Sequence, residues 1–431
     1  MDSFKTRGDR SRTNTISKKS QKEHLSVEIH PCDIIITNSD TYQNESMTKL
    51  NQRLNESKDQ LDQYYIGAKT DKKMQTVWNN FQGIVDIYKE LRGTIANNYN
   101  AKHVTNAWMK YWEIYNQYNI LPGRDWNRKN KRPYIAFMNA ELPGAALCAF
   151  NHYMKTVSKG TKFNWRASSL APEQDNKDVL GDYYGLYRHN KNHWLMGGNN
   201  GNGDMTNTAN IRALANRIGL LSSTGGVDMY SHDAGVDVAV DENGNLSFNN
   251  QELLNAKLHF GCALAGFVIM RKGANFIAKQ YTLFDTFTWN CILLYSGLFE
   301  KFYLCKPLTS RPYNSEIYLV GLGFKGLPAR IEEFMYERLD NFTTAPFLDQ
   351  SIQKTVSAQN VFTFADIMFN QQIEILDQNI TLFEKYRMNI MELAKCLRVM
   401  KKEKNVEWLK KYPINIISDF DQLKSNGERK R

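Results

Sequence analysis

No two cysteines in this 431-residue chain form a CxxC pair; Cys32, Cys148, Cys262, Cys291, Cys305 and Cys396 stand alone. No His/Cys cluster falls at zinc-ligand spacing, so neither a disulfide framework nor a structural metal is expected to hold the fold. Reduced thiols in a cytosol-like compartment are the expectation. Long apolar runs are missing too. The longest, GCALAGFVIM at 261–270, is about half of what a bilayer span needs, and the polar, basic start carries no signal-peptide core. A soluble intracellular chain with no membrane partner is predicted. The turn NAELPG at 139–144 is not G-x-G-x-x-G and there is no G-K-[ST] in a P-loop, which takes support from hydride transfer and ATP hydrolysis. Acidic excess is also lacking: 55 Lys and Arg face 45 Asp and Glu, a net charge of +10. Such a surface attracts polyanions by a long-range, salt-sensitive force.

What is present divides the chain into four parts. Residues 1–60 are rich in Ser, Thr, Asn, Lys and Arg and are expected to be a basic arm, disordered or loosely attached, because too little apolar surface offsets the entropy of ordering. A helical flank follows at 61–120. Met74, Val77, Trp78, Phe81, Ile84, Val85, Tyr88 and Leu91 recur at helical spacing. In a second helix Val104, Ala107, Trp108, Tyr111, Ile114, Tyr115 and Tyr118 share one face, with Asn106 and Lys110 opposite. From 121 to 326 short apolar runs alternate with helical segments, the pattern of an α/β sheet. The runs are YIAFMNAE, KFNWRASSL, VDMYSHDAG, ANFIAKQY, KFYLCKP and SEIYLVGLGF. Residues 327–431 read as helical, with a heptad-like series at Ile373, Leu376, Ile380, Phe383, Ile390 and Leu397. Arg387 and Ala394 interrupt that seam, favouring packing on the body over a coiled-coil dimer.

Several polar stretches punctuate the sheet. NAELPGAALCAFNHY, 139–153, follows a strand and opens a helix with Pro143 and Gly144 at its start; the turn is either plain punctuation or a place where backbone approaches a ligand closely. GGNNGNGDMTN, 197–207, precedes a helix expected to begin near Thr206. Its acid, Asp204, either binds ribose hydroxyls or caps a turn. DENGN, 241–245, lacks calcium-loop spacing and reads as a hairpin turn at Asn243 and Gly244. Two basic runs with tryptophan, RDWNRKNKR at 124–132 and MKKEKNVEWLKKY at 400–412, are either solvated faces or polyanion tracks. The most informative set is four charges in the order Lys110, Asp233, Lys279, Glu316, each at the rim of its own helix or strand. Open α/β sheets bind ligands outside the carboxyl ends of their strands, where these charges would gather.

With E-x-P-G upstream, VDMYSHDAG in the middle and KPLTSRPYNSEIYLVG at the end, this order resembles the FtsJ-like RNA ribose 2′-O-methyltransferases. The K-P-x-x-S-R-x-x-x-S-E-x-Y run is similar to the cap-specific branch. FNWRASSL with NKNHWLMGGNNGNGDM resembles its Adrift-type subgroup, in the form carried by large DNA viruses. The resemblance spans about 100–325. It implies a Rossmann-like, seven-stranded sheet with helical flanks, binding S-adenosylmethionine at Glu141, Pro143, Gly144 and Ala145, with Trp165 and Asp204 flanking the nucleoside and Asp233 close by. Lys110, Asp233, Lys279 and Glu316 match the family's catalytic K-D-K-E tetrad. Ala145 replaces a frequent second glycine and D-A-G replaces D-G-G. No metal is implied. The implied partners are the capped 5′ end of mRNA and other capping or transcription proteins, and the implied location is the cytoplasmic factory of an infected cell, with packaging in the virion a further option.

Methyl transfer to a ribose hydroxyl requires alignment of the 2′-oxygen behind the methyl carbon and removal of a proton of high pKa. Lys279 is the expected base. An unperturbed lysine is neutral about once in 2,500 molecules at pH 7, a handicap of about 4–5 kcal/mol. Burial and Lys110 lower its pKa while Asp233 and Glu316 raise it, so the sequence leaves the sign open. For an RNA substrate, Arg311 and Ser315 are expected on the backbone, with Arg124, Arg128, Lys129 and Arg132 extending the track and Trp126 or Trp108 stacking a base. Trp108 fits a core role better, since it lies on the apolar helical face. The rivals to cap-specific methylation are a ribose methyltransferase of non-cap RNA and an idle RNA-binding subunit.

Overall fold

A computed structural model describes residues 24–32, 34–37, 42–61, 63–64, 72–171, 181–197, 201–221, 225–236 and 250–426. The hairpin expected at Asn243 and Gly244 lies outside them. Seven strands form one sheet: β1 (Leu25–Glu28), β2 (Tyr134–Asn139), β3 (Phe163–Ala167), β4 (Val227–His232), β5 (Met270–Gln280), β6 (Phe299–Lys306) and β7 (Ile317–Phe324). All six apolar runs named above became strands. Their order across the sheet is β1-β6-β7-β5-β4-β2-β3. The strands from β5 to β3 are parallel, whereas β7 runs antiparallel to β5 and to β6. Because β7 alone is reversed among these, its amino end lies beside the carboxyl ends of β4, β5 and β6. Glu316, just before Ile317, therefore stands at the ligand-binding edge.

The helices are α1 (Glu45–Asp59), α2 (Lys72–Val85), α3 (Leu91–Tyr99), α4 (Asn106–Gln117), α5 (Trp126–Asn130), α6 (Ala145–Thr156), α7 (Leu186–His189), α8 (Thr208–Leu221), α9 (Gln251–Ile269), α10 (Thr286–Gly297), α11 (Ala329–Asp340), α12 (Val356–Tyr386) and α13 (Ile390–Lys411). On one face of the sheet, Trp108 and Trp112 of α4 and Leu147 and Phe150 of α6 pack with Met138, Ile277 and Val320. On the other, Phe260 and Phe267 of α9 and Leu294 of α10 meet Tyr230, Phe276 and Phe299. α9 is long and apolar enough by length and composition to cross a membrane, yet 72% of its most apolar window is buried inside this core.

Three expectations need correction. The arm is not loose throughout: β1 adds an antiparallel edge strand to β6, and Met47, Leu50 and Leu54 of α1 are buried in the main core. Its few apolar residues fall on one helical stripe, so a polar composition still yields a packed helix. Second, α4 has no free side, since every residue from Trp108 to Tyr115, Lys110 included, is buried. Third, the long apolar series breaks at residues 86–90, between α2 and α3, and the heptad-like series breaks after Tyr386, between α12 and α13. The ends so created meet in a separate cluster of Tyr64, Trp78, Phe81, Phe383, Tyr386, Leu393 and Leu397. Both flanks thus pack on the body and on each other.

Candidate active site

The four charges from separate elements converge at the ligand-binding edge in two pairs. α4 directs Lys110 inward, where Nζ donates to Glu316 Oε1 at 2.6 Å. Lys279 is the penultimate residue of β5, and its Nζ lies 3.5 Å from Oδ1 of Asp233, which directly follows β4. The Tyr318 hydroxyl donates to the same Asp233 oxygen at 3.0 Å, and Lys279 sits 5.6 Å from the centre of the Tyr281 ring. The backbone of Gly235 closes over this lysine: a Cβ there would meet the Tyr281 hydroxyl at 2.5 Å and Lys279 Nζ at 3.1 Å.

A third lysine, which no sequence pattern above singled out, builds the loop that carries Glu316. Lys306, at the end of β6, donates from Nζ to the Glu316 carbonyl at 2.7 Å, to the Asn314 carbonyl at 2.9 Å and to Asn314 Oδ1. Ser310 Oγ donates to Glu316 Oε1 at 3.0 Å. Lys306 and Ser310 are the K and first S of K-P-x-x-S-R, so their place in the motif was the available signal.

Electrostatics follow from this packing. Burial alone would raise Glu316, but Lys110, Lys279 and Lys306 outweigh it and bring its pKa down to about 2. Burial alone would lower Lys279; Asp233, then Tyr281 and Glu316, reverse the sign and hold it above the ordinary lysine value. The sign left open by the sequence is therefore upward. Burial takes Lys306 down to about 7, with Glu316 opposing and Lys110 adding to the drop. Glu316 is thus held ionised by two buried lysines, Lys110 and Lys306, and by the partly buried Lys279.

The strand order reverses beside β2, whose neighbours are β3 and β4, and this is where open α/β sheets place a ligand crevice. Here Glu141 is buried, and its Oε1 accepts from Leu147 N at 2.6 Å across the start of α6. Burial pushes its pKa up to about 8 against that hydrogen bond. Gly144 adopts φ +108°, and a Cβ on it would lie 2.2 Å from Leu186 Cδ1, so glycine is required. Pro143 follows a cis peptide bond, and Ala145 opens α6. Asp204 accepts from both the Thr206 amide and its hydroxyl at 2.8 Å; the helix starts two residues later than expected, at Thr208. Ser168, at the carboxyl end of β3, is fully buried, and its hydroxyl has no partner among the described residues. An orphaned hydroxyl beside a glycine turn, with two acids nearby, fits a polar ligand bearing hydroxyl and cationic groups.

Other expected contacts lie elsewhere. Trp165 sits within β3 at 5% exposed and stacks on His193 at 4.3 Å; it belongs to the core below the strand end. Ser315 is buried and hydrogen-bonded to Gln372 of α12, which removes it from an RNA-facing surface. Arg311 is exposed and pairs with Asp86 at 3.7 Å, at the mouth. Arg124, Arg128, Lys129 and Arg132 precede β2, so they occupy the opposite end of the sheet and cannot extend a track from the tetrad. Arg132 makes a forked pair with the buried Asp228 at 2.7 and 2.8 Å, Arg128 pairs with Asp125, and Arg124 donates to the Val157 carbonyl. Trp126 supports the Arg132 guanidinium at 5.0 Å, and Trp108 is fully buried, the core role foreseen for it.

Residues 165–324 match the description FtsJ-like methyltransferase. A probable methyltransferase, EP424R of African swine fever virus, is 34% identical over 379 residues, covering 86% of this chain and 84% of that one. The chain belongs to the FtsJ-like methyltransferase family. It is also similar to the cap-specific mRNA (nucleoside-2′-O-)-methyltransferase 2 of Drosophila melanogaster, 26% identical over 306 residues, and of Mus musculus, 27% identical over 323 residues. These matches cover 68% and 73% of this chain and 40% of each relative. Within this chain Lys110, Asp233, Lys279 and Glu316 form two ion pairs at one edge of the sheet.

Proposed function

We propose that this methyltransferase modifies a ribose 2′-hydroxyl near the 5′ cap of mRNA, using S-adenosylmethionine, at cytoplasmic sites of viral transcription. The observation that carries the reading is the convergence of Lys110, Asp233, Lys279 and Glu316 from four separate elements on one edge of the sheet. Likeness to two cap-specific relatives supports the substrate class. Glu141, Gly144, Ala145 and Asp204 would hold the cofactor, with Asp233 between it and the lysines. S-adenosylmethionine supplies an electrophilic methyl carbon on a sulfonium. The chain's task is to bring the 2′-oxygen to that carbon and dispose of its proton. Lys279 is held cationic by Asp233 and Glu316, so its first role is to donate a hydrogen bond that orients the hydroxyl. It accepts the proton only when positive charge in the crevice pushes its pKa back down. Glu316 anchors Lys110, and the pair fixes the far wall of the site.

The test is methyl transfer from labelled S-adenosylmethionine to two matched short RNAs, one capped and one with a 5′ triphosphate, followed by mapping of the modified ribose. Label confined to the first or second nucleotide of the capped RNA is expected, and Lys279→Ala should abolish it while RNA binding persists. Equal labelling of both RNAs would instead favour a general RNA enzyme. Absence of both labelling and cofactor binding would favour an idle subunit.

A further inference from the structure

Glu113 has no part in the chemistry described so far, yet it is the most heavily engaged carboxylate next to the site. It follows Lys110 by one turn of α4 and is 0% exposed. Its Oε2 accepts from Leu308 N at 2.7 Å. Its Oε1 accepts from Thr309 N at 2.8 Å, from the Thr309 hydroxyl, and from Trp408 Nε1 at 3.0 Å. His24 Nδ1, from the segment before β1, lies 3.7 Å from Oε2. Four parts of the chain meet on one side chain: the amino-terminal segment, α4, the loop between β6 and β7, and α13.

The loop is the one that ends in Glu316. Lys306 ties its far half, and Glu113 ties its near half to the helix that bears Lys110. A buried carboxylate is weak evidence for stability, because apolar residues of similar volume do as well or better. Its particular contribution is direction, since each lone pair fixes the donor opposite it. We propose that Glu113 is a positioning residue: it sets loop 307–316 against α4 so that Glu316 meets Lys110, and through Trp408 it makes α13 part of the same fixture. That it serves methyl transfer rests on the function proposed above; the fixture itself does not.

The experiment compares wild type with Glu113→Gln and Thr309→Val. Gln keeps the volume but replaces one acceptor with a donor facing backbone N–H groups. Val removes a single hydroxyl and guards against a variant that does not fold. Lys110 is followed by pulsed acetylation and mass spectrometry, and turnover is measured on capped RNA. Lys110 should become reactive in both variants, more so in Glu113→Gln, whose kcat should fall about 10²-fold, the effect of ångström-scale misplacement, with KM for S-adenosylmethionine unchanged. Lys110 still protected in folded variants, or turnover that falls only in step with melting temperature, would overturn the proposal. If wild type transfers no methyl group, the acetylation still decides the role of Glu113, and only the functional reading falls.

Discussion

At the scale of single residues, the site is a balance of burial against charge, and that balance has a readable pH signature. Glu316 has its folded pKa lowered to about 2 from an ordinary value of 4.5. The unfolded chain therefore binds this proton first as pH falls, and the stability that the carboxylate contributes is present above about pH 4.5 and lost between there and pH 2. Glu141 works in the opposite sense, because its raised pKa of about 8 favours the fold at low pH and loses that contribution as pH rises from about 4.5 to 8. The measurement is thus a difference: unfolding free energy of wild type minus Glu316→Gln, followed by denaturant titration. The difference should shrink as pH falls through the lower window. A difference independent of pH there would mean that the three lysines do not hold Glu316 ionised.

At the scale of elements, direction along the sheet decides which basic residues can serve the site. RDWNRKNKR reads as an extension of the RNA track because charge and tryptophan are visible in a sequence, whereas the end of the sheet on which a segment lies is not. Since the run precedes β2, it lies at the amino ends of the parallel strands, and Arg132 is spent on the buried Asp228. Asp228 keeps Arg271 at 3.3 Å and the Ile135 amide at 2.8 Å as partners. Arg132→Ala should cost about 3 kcal/mol, near the lower bound for breaking a buried pair, and leave RNA affinity of the folded protein unchanged. A calorimetric melt beside an RNA-binding titration separates the two roles: lost affinity with an unchanged melting temperature would return Arg132 to the substrate. The six strands were legible because apolar runs bounded by polar turns survive without context, and the motif spacing marked the four charges that the fold brings together as two ion pairs. Glu113 was not legible, since a glutamate on a helix reads as surface until the fold surrounds it, and Lys306 was marked only by its place in the K-P-x-x-S-R motif.

For the whole molecule, the segments outside the family match complete the sheet and wall its mouth. Arg311 reaches Asp86 between α2 and α3, Ser315 reaches Gln372 of α12, and Glu113 reaches Trp408 of α13; the flanks therefore hold the loop between β6 and β7 from three sides. β1 closes the other vulnerable place, the free edge of β6, with register from Leu25 opposite Lys306 to Glu28 opposite Tyr303. An uncovered edge strand offers unpaired N–H and C=O groups to any other chain. Ile29, fully buried, continues from β1 into the core, and Asn360 and Ser357 of α12 donate to the carbonyls of Glu28 and His30. Deleting residues 1–30 should therefore lower the melting temperature and yield soluble aggregates by light scattering, even though most of the deleted residues are polar. Lys306, at the end of the exposed β6, would lose its edge support, so turnover per folded molecule should drop as well. A truncated protein that stayed monodisperse with an unchanged melt would show that α12 alone covers the β6 edge, and would return the segment to the loosely attached arm that its composition suggested.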